Sequence, residues 1–254
     1  PTVRPMTGTL LAGLAVPVIG LTVGWRWAFV GGAAMALGAA VLLPPEPRAT
    51  TSSDGGRRRD GDVPLGPLVL LGAGAMFGAA TAGAGSAFLV SGAVSAGMDD
   101  GAAGLLLTFG SALAIGHRLQ AGRRADRAGL GTGTLRTVAV MLAVGTVGSC
   151  LFALTSQVGY LVGTPLAFGV GWAWPGLFNL AVVRANPNAP GAATGITQTG
   201  TYLGALSGPL AMGTLVDAAG YQTAWLAVAG TFLAAAGTIV VGRRRLAGHV
   251  GGAE

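Results

Sequence analysis

Long apolar stretches alternate with short polar turns along almost the whole chain. Most of these stretches approach or exceed about 18 residues, a length that crosses the roughly 30 Å hydrocarbon core of a bilayer as an α-helix. The pattern predicts an all-α membrane protein with eight transmembrane helices. The predicted helices cover residues 6–23, 28–43, 65–90, 102–119, 134–154, 158–183, 191–215 and 223–241.

One polar connection is much longer than the others. Residues 44–63 are rich in Pro, Ser, Gly and charge and contain three consecutive arginines, which is typical of a flexible linker between two helical units. The chain is therefore predicted to have four parts. These are a helix pair over 1–43, the linker over 44–63, a six-helix unit over 64–242 and a tail over 243–254.

The arginines indicate which side of the membrane each turn faces. The turn around Gly122 is dense in Arg, and short basic turns face the cytoplasm. If the helices cross in alternation, the same side holds fourteen of the 15 basic residues, and only Arg26 lies on the other. Both ends of the chain are then cytoplasmic, whereas the turns at 95–101 and 217–222 lie outside.

Composition excludes several classes of protein. With 52% hydrophobic and 9% charged residues, the chain has too little polar surface for a soluble domain of this length. The net charge of +6 does not indicate nucleic-acid binding, because the arginines lie in connections between apolar helices and form no stripe on a soluble surface. Cys150, the only cysteine, excludes an internal disulfide and is expected to be a small buried residue.

Enzymatic motifs are absent from the sequence. The chain contains no Lys, which excludes a P-loop, and it has neither a Gly-x-Ser-x-Gly nor a His-Glu-x-x-His motif. We therefore expect no enzymatic activity, no cofactor and no metal. The expected partners are the lipid bilayer and a small-molecule substrate.

The segment from Gly122 to Gly129, Gly-Arg-Arg-Ala-Asp-Arg-Ala-Gly, joins two predicted helices. It resembles the loop motif of the major facilitator superfamily, Gly-x-Leu-x-Asp-Arg-x-Gly, although Arg124 stands where the family has Leu. The order of elements across the whole chain also resembles spans five to twelve of that twelve-span fold. The resemblance implies a complete six-helix C-terminal half and the last two helices of the N-terminal half, with four spans missing from the front.

The resemblance also implies a function. Such proteins carry out secondary active transport of a small solute by rocking two six-helix halves around a central cavity, here in a bacterial plasma (inner) membrane and as a monomer at full length. No charged residue is expected near the centre of a helix, so a proton-coupling group would lie in the missing spans. The chain alone is accordingly expected to be inactive in transport. The alternative is a non-transporting sensor, scaffold or pseudo-transporter.

Four residues of the motif are candidates for a conformational latch. A carboxylate at a cytoplasmic helix junction can pair with Arg and with the N-terminal amides of a neighbouring helix, which would hold one conformation of the bundle. The alternative is a solvated turn that only sets the orientation. The latch residues are Gly122, Asp126, Arg127 and Gly129.

Uncharged residues on three helices are candidates for the substrate cavity. Pro175 lies between two of them and would free a backbone carbonyl that a substrate could meet. Each candidate has a structural alternative: packing or interfacial anchoring for the aromatic residues, and hydrogen bonding between helices for the amides. An uncharged set favours a neutral or hydrophobic substrate. The candidates are Phe77, Thr81, Trp172, Asn179 and Gln198.

Small residues recur every four positions in two helices. Gly200, Gly204 and Gly208 form one series, and Gly74, Gly78 and Ala82 form another. Such series let helix backbones approach closely inside a membrane. The sequence predicts close packing within one bundle, with self-association of two chains as the alternative.

Overall fold

The computed structural model describes two long ranges of the chain and a few residues before them. The predicted helix pair over 1–43 and the linker over 44–63 therefore lie almost entirely outside the described residues, and Gly129 lies outside them as well. The described residues are 64–127 and 133–251, together with Trp27, Val30, Gly31, Ala33, Ala34, Leu37 and Gly38.

Every regular element in the described ranges is a helix. Five segments are long and apolar enough to cross a membrane: Leu65–Ser95, Asp100–Ala125, Gly133–Phe152, Gln157–Ala185 and Pro190–Leu246. The all-α membrane architecture is thus confirmed for this part of the chain, whereas the count of eight helices stays a prediction. The elements are α1 (Leu65–Ser95), α2 (Asp100–Arg127), α3 (Gly133–Phe152), α4 (Gln157–Thr164), a π-helix (Pro165–Gly171), α5 (Pro175–Ala185) and α6 (Pro190–Gly251).

Helix α6 consists of two limbs that meet at Gly220. This residue has φ 76° and ψ 172°, a backbone conformation that favours glycine because it has no Cβ. Near Gly72 and Gly74, α1 contacts Thr197 of the first limb and Ile239 of the second, so the second limb folds back alongside the first. The limbs correspond to the last two predicted helices, and the second continues into the predicted tail as far as Gly251.

The first limb of α6 packs against α1 in a parallel direction. The backbones of Gly200, Gly204 and Gly208 lie against those of Gly72, Met76 and Ala80, in that order. The residue numbers increase in the same direction along both helices, so the helices are parallel. Two membrane helices that are separated by three others in the chain cross the bilayer in the same direction when successive helices alternate. The glycine series therefore mediates packing within one bundle, as predicted.

A buried aromatic cluster joins the elements at one end of the bundle. Trp225 of α6 donates its indole N–H to the hydroxyl oxygen of Tyr160 over 2.7 Å, and Phe152 stacks on the Tyr160 ring with centroids 5.1 Å apart. Gly92 of α1 faces the same hydroxyl. Gln157 beside this cluster donates its side-chain amide to the Gly97 carbonyl. The turns after α1 and after α3 thus lie at the same end as the Gly220 kink.

Helix α3 exposes an apolar face. Val140 and Val147 are 56% and 54% exposed, and Cys150 is exposed next to them. The expectation that Cys150 is buried is wrong, because a small apolar residue on a membrane helix is equally stable against lipid.

Candidate functional site

The span Gln157–Ala185 is interrupted near its middle. The π-helix starts with Pro165, α5 starts with Pro175, and residues 172–174 between them are not helical. Proline lacks a backbone N–H and clashes with the carbonyl of the preceding turn, which explains a break at this position. Single π-turns inside helices are frequent at functional sites. The sequence predicted the effect of Pro175 but not the π-helix.

Arg118 of α2 binds the backbone at this break. Its Nε and Nη2 atoms donate to the carbonyl oxygen of Trp172 over 3.2 and 2.7 Å. The helix predicted over 102–119 ends next to Arg118, whereas α2 continues to Arg127, so Arg118 lies within the candidate span Asp100–Ala125. The expectation that no charged residue lies near the centre of a membrane span stays a prediction. Arg118 thus satisfies one of the backbone carbonyls that lie at the break, that of Trp172.

Two indole rings flank the break and pack on α1. Trp172 and Trp174 are 4% and 2% exposed. Their rings occupy the space left by Gly85 and Gly78, where a Cβ would lie 2.9 Å from Cη2 of Trp172 and 2.8 Å from Cζ2 of Trp174. Phe168 lies on the Trp172 ring at a centroid distance of 3.7 Å. The break is therefore locked against α1 by side-chain shape.

Both indole N–H groups are buried without a hydrogen-bond partner in the described part of the chain. Buried polar groups without partners are uncommon in folded proteins, because the group loses water and gains nothing in return. An oxygen or nitrogen acceptor on a bound molecule would remove this cost. Trp172 is one of the cavity candidates predicted from the sequence, and Trp174 is an equivalent donor that those candidates do not include.

Thr81 of α1 lies between the two glycines that hold the indoles. It is 1% exposed and donates its hydroxyl to the Gly78 carbonyl over 2.8 Å. It also lines a cavity of about 60 Å³ between α1 and both limbs of α6. This volume is far below the about 300–1,000 Å³ of typical ligand pockets. Phe77, one turn earlier on α1, is partly buried.

The two amide candidates are partly buried, and neither makes a hydrogen bond within the described ranges. Asn179 lies one turn after Pro175 on α5, close to the break. Gln198 lies on α6 next to Thr197, and Thr197 contacts Gly72 of α1. Gly72 lies about 9 Å before Gly78 along the α1 axis. Thr81 thus lies on α1 between the residues that contact Trp172 and Trp174. The span Gln157–Ala185 runs antiparallel to α1, since Tyr160 faces Gly92 and Trp174 faces Gly78, so Asn179 and Gln198 both lie nearer the start of α1 than Thr81.

The motif residues lie at the end of α2. The segment was expected to be a tight turn, but it is helical from Gly122 to Arg127. Gly122 is partly buried, and a Cβ there would have no atom within 4 Å. Asp126 and Arg127 have helical backbones, and their side chains lie outside the description. The latch therefore stays a prediction. Among the described residues, no group of three His, Cys, Asp or Glu side chains is placed to hold a metal ion.

Comparison with known proteins gives one family. The family model described as Major Facilitator Superfamily matches residues 5–206. The match includes the first two predicted helices, the linker, α1 to α5 and the beginning of α6. No curated protein matches the chain.

Proposed function

The chain belongs to the Major Facilitator Superfamily, and from that premise we propose that it carries a small solute across the membrane by secondary active transport with alternating access. Proteins of this family are membrane transporters and generally not enzymes. The observation that carries the proposal is the break in the span Gln157–Ala185. Discontinuous helices near the middle of a bilayer are typical of transporter substrate sites, because they present backbone polar groups that continuous helices keep to themselves.

The proposed substrate site centres on this break. The unpartnered N–H groups of Trp172 and Trp174 supply donors, and the amide of Asn179 supplies both a donor and an acceptor. Thr81 and Phe77 shape the wall on α1, and Gln198 extends the cavity towards the start of that helix. Because Arg118 is engaged by the Trp172 carbonyl, the site favours an uncharged solute that carries hydrogen-bond acceptors.

Cysteine reactivity tests the proposal without knowledge of the substrate. In a Cys150→Ser background, we expect Asn179→Cys and Gln198→Cys to react with a membrane-impermeant maleimide when it is added from either side of sealed vesicles. The reaction requires a hydrated thiolate, so residues that line an alternately opened aqueous cavity react and residues facing lipid do not. Val147→Cys on the apolar face of α3 is the matched control, and we expect it to react at least about tenfold more slowly. Equal rates at residues 147 and 179, or reaction of residue 179 from one side only, would contradict alternating access.

The orientation is tested by labelling the two ends of the bundle. We propose that the end carrying the turn at 96–99 and the Gly220 kink faces outside, since the arginines concentrate at the other end. Exposed cysteines introduced as Asp99→Cys and Asp217→Cys should therefore react on intact cells. Arg123→Cys and Arg184→Cys should react only after permeabilisation. The reverse pattern would invert the assignment and place the motif on the outer side.

The motif is proposed as a cytoplasmic conformational latch. Asp126 would supply the carboxylate and Arg127 the cation, with Gly122 and Gly129 permitting close approach of a neighbouring helix. Asp126 and Arg127 are the last two residues of α2, at the end of a membrane helix where a latch between helices would act. The latch is tested together with the inference that follows.

A further inference from the structure

Arg118 contacts the break at residues 172–174 and lies on the same helix as the cytoplasmic motif. Its guanidinium places two donors on one backbone carbonyl, that of Trp172, at distances of 3.2 and 2.7 Å. Hydrogen bonds from a charged donor are stronger than neutral ones, and more so in a medium that excludes water. No other side chain among the described residues makes a hydrogen bond to residues 172–174. The guanidinium is therefore the main polar contact that fixes the non-helical segment.

Helix α2 also packs along the π-helix on the same side. A Cβ at Gly110 would lie 2.7 Å from Cγ2 of Thr164 and 3.1 Å from Cβ of Phe168. One turn further on, Leu113 lies opposite Gly169. Arg118 continues this series at Trp172, so the two elements run in parallel and the guanidinium is the last contact before the chain breaks.

The same helix carries the cytoplasmic motif. From Arg118 to Asp126, α2 is uninterrupted over eight residues, which is about 12 Å of helix. A helix of this length moves as a rigid element. Any displacement of its cytoplasmic end therefore also displaces the guanidinium relative to the Trp172 carbonyl.

We propose that Arg118 is a positioning residue that couples the cytoplasmic motif to the two indoles at the helix break. In the conformation described, the guanidinium holds residues 172–174 and thereby keeps Trp172 and Trp174 on α1. Movement of the motif withdraws the guanidinium, and the break becomes free to rearrange. The inference rests on the proposed function only in that it assigns the latch to Asp126.

Hydrogen exchange at the break tests the positioning role in the full chain, reconstituted in nanodiscs. We expect Arg118→Gln to raise the exchange of the backbone amides of residues 173, 174 and 176–178 at least about tenfold, because the Trp172 carbonyl loses a charged donor. Arg118→Lys should give an intermediate increase, since one ammonium group can still reach the carbonyl. Arg124→Gln, an exposed arginine on the same helix, is the matched control and should change nothing. Unchanged exchange in Arg118→Gln would overturn the inference.

A double-mutant cycle separates coupling from a purely local structural role. Asp126→Asn should raise exchange at the same backbone amides several-fold when Arg118 is present and should add nothing in the Arg118→Gln background. Asp100→Asn, which removes a carboxylate at the opposite end of α2, should have no effect. Additive effects of the two substitutions would overturn the coupling, and so would the absence of any Asp126→Asn effect. Neither outcome touches the reactivity of Asn179→Cys, which tests transport itself.

Discussion

Replacing Gly204 with alanine is expected to lower the midpoint of thermal unfolding in detergent by about 6–12 °C. The added methyl group would overlap the carbonyl oxygen of Met76, which belongs to the backbone of α1 and cannot rotate away as a side chain can. The two helices must therefore separate along their contact. Overpacking of this kind costs about 3 kcal/mol, and each kcal/mol lowers the midpoint by roughly 2–4 °C for a chain of this size.

A second glycine on the same limb provides the control. A Cβ at Gly195 would meet no atom within 4 Å. Gly195→Ala should therefore leave the midpoint unchanged or raise it slightly, because alanine is favoured over glycine in a helix by up to about 1 kcal/mol. Gly200→Ala and Gly208→Ala should behave like Gly204→Ala. If all four variants melted together, the contact between α1 and the first limb of α6 would not be as close as described.

The glycine series shows which part of the helix packing can be predicted from the sequence and which part cannot. A repeat of small residues every four positions indicates that a backbone approaches another one, because small side chains leave a groove on one face of a helix. It does not indicate which helix fills the groove. Here α1 fills it, in a parallel direction, through residues about 130 positions away in the chain. Choice of partner depends on the shapes of all the helices together, which no local pattern contains.

Helix positions were predictable where polar residues bound an apolar stretch. The predicted helices over 65–90 and 158–183 correspond to α1 (Leu65–Ser95) and to the interrupted span Gln157–Ala185. The end of α2 was not predictable in this way. Hydropathy reports where a helix leaves the hydrocarbon, whereas the helix itself continues to Arg127 through charged residues that are good helix formers.

The candidate site was partly predictable. The prediction that Pro175 frees a carbonyl follows from the chemistry of proline alone, and the break lies directly before it. Arg118, which donates to the Trp172 carbonyl at the break, is 54 positions away from Trp172 in the sequence. The contacts of Trp174 with Gly78 and of Trp172 with Gly85 also join residues that are far apart in the sequence. Local chemistry thus located the break, and only tertiary packing shows what holds it.

Gly85→Ala is expected to destabilise the protein by about 2–3 kcal/mol, a fall of roughly 4–12 °C in the unfolding midpoint. The new methyl group would overlap Cζ2 of Trp172 and lie 2.9 Å from its Cη2. The ring cannot tilt away freely, because Phe168 lies on it at a centroid distance of 3.7 Å. The strain therefore passes to the backbone at the break, where Arg118 holds the Trp172 carbonyl.

A suppressor shows whether this ring is the cause. Phenylalanine reaches less far than tryptophan because it lacks the benzo ring that carries Cζ2 and Cη2. Trp172→Phe should therefore relieve Gly85→Ala, with a favourable coupling of about 1–2 kcal/mol between the two changes. Trp174→Phe should not relieve it, since that ring packs on Gly78, but it should relieve Gly78→Ala. If either tryptophan substitution relieved both glycine substitutions equally, Trp172 would not pack on Gly85 and Trp174 would not pack on Gly78. The proposed substrate site would then not be bounded by α1.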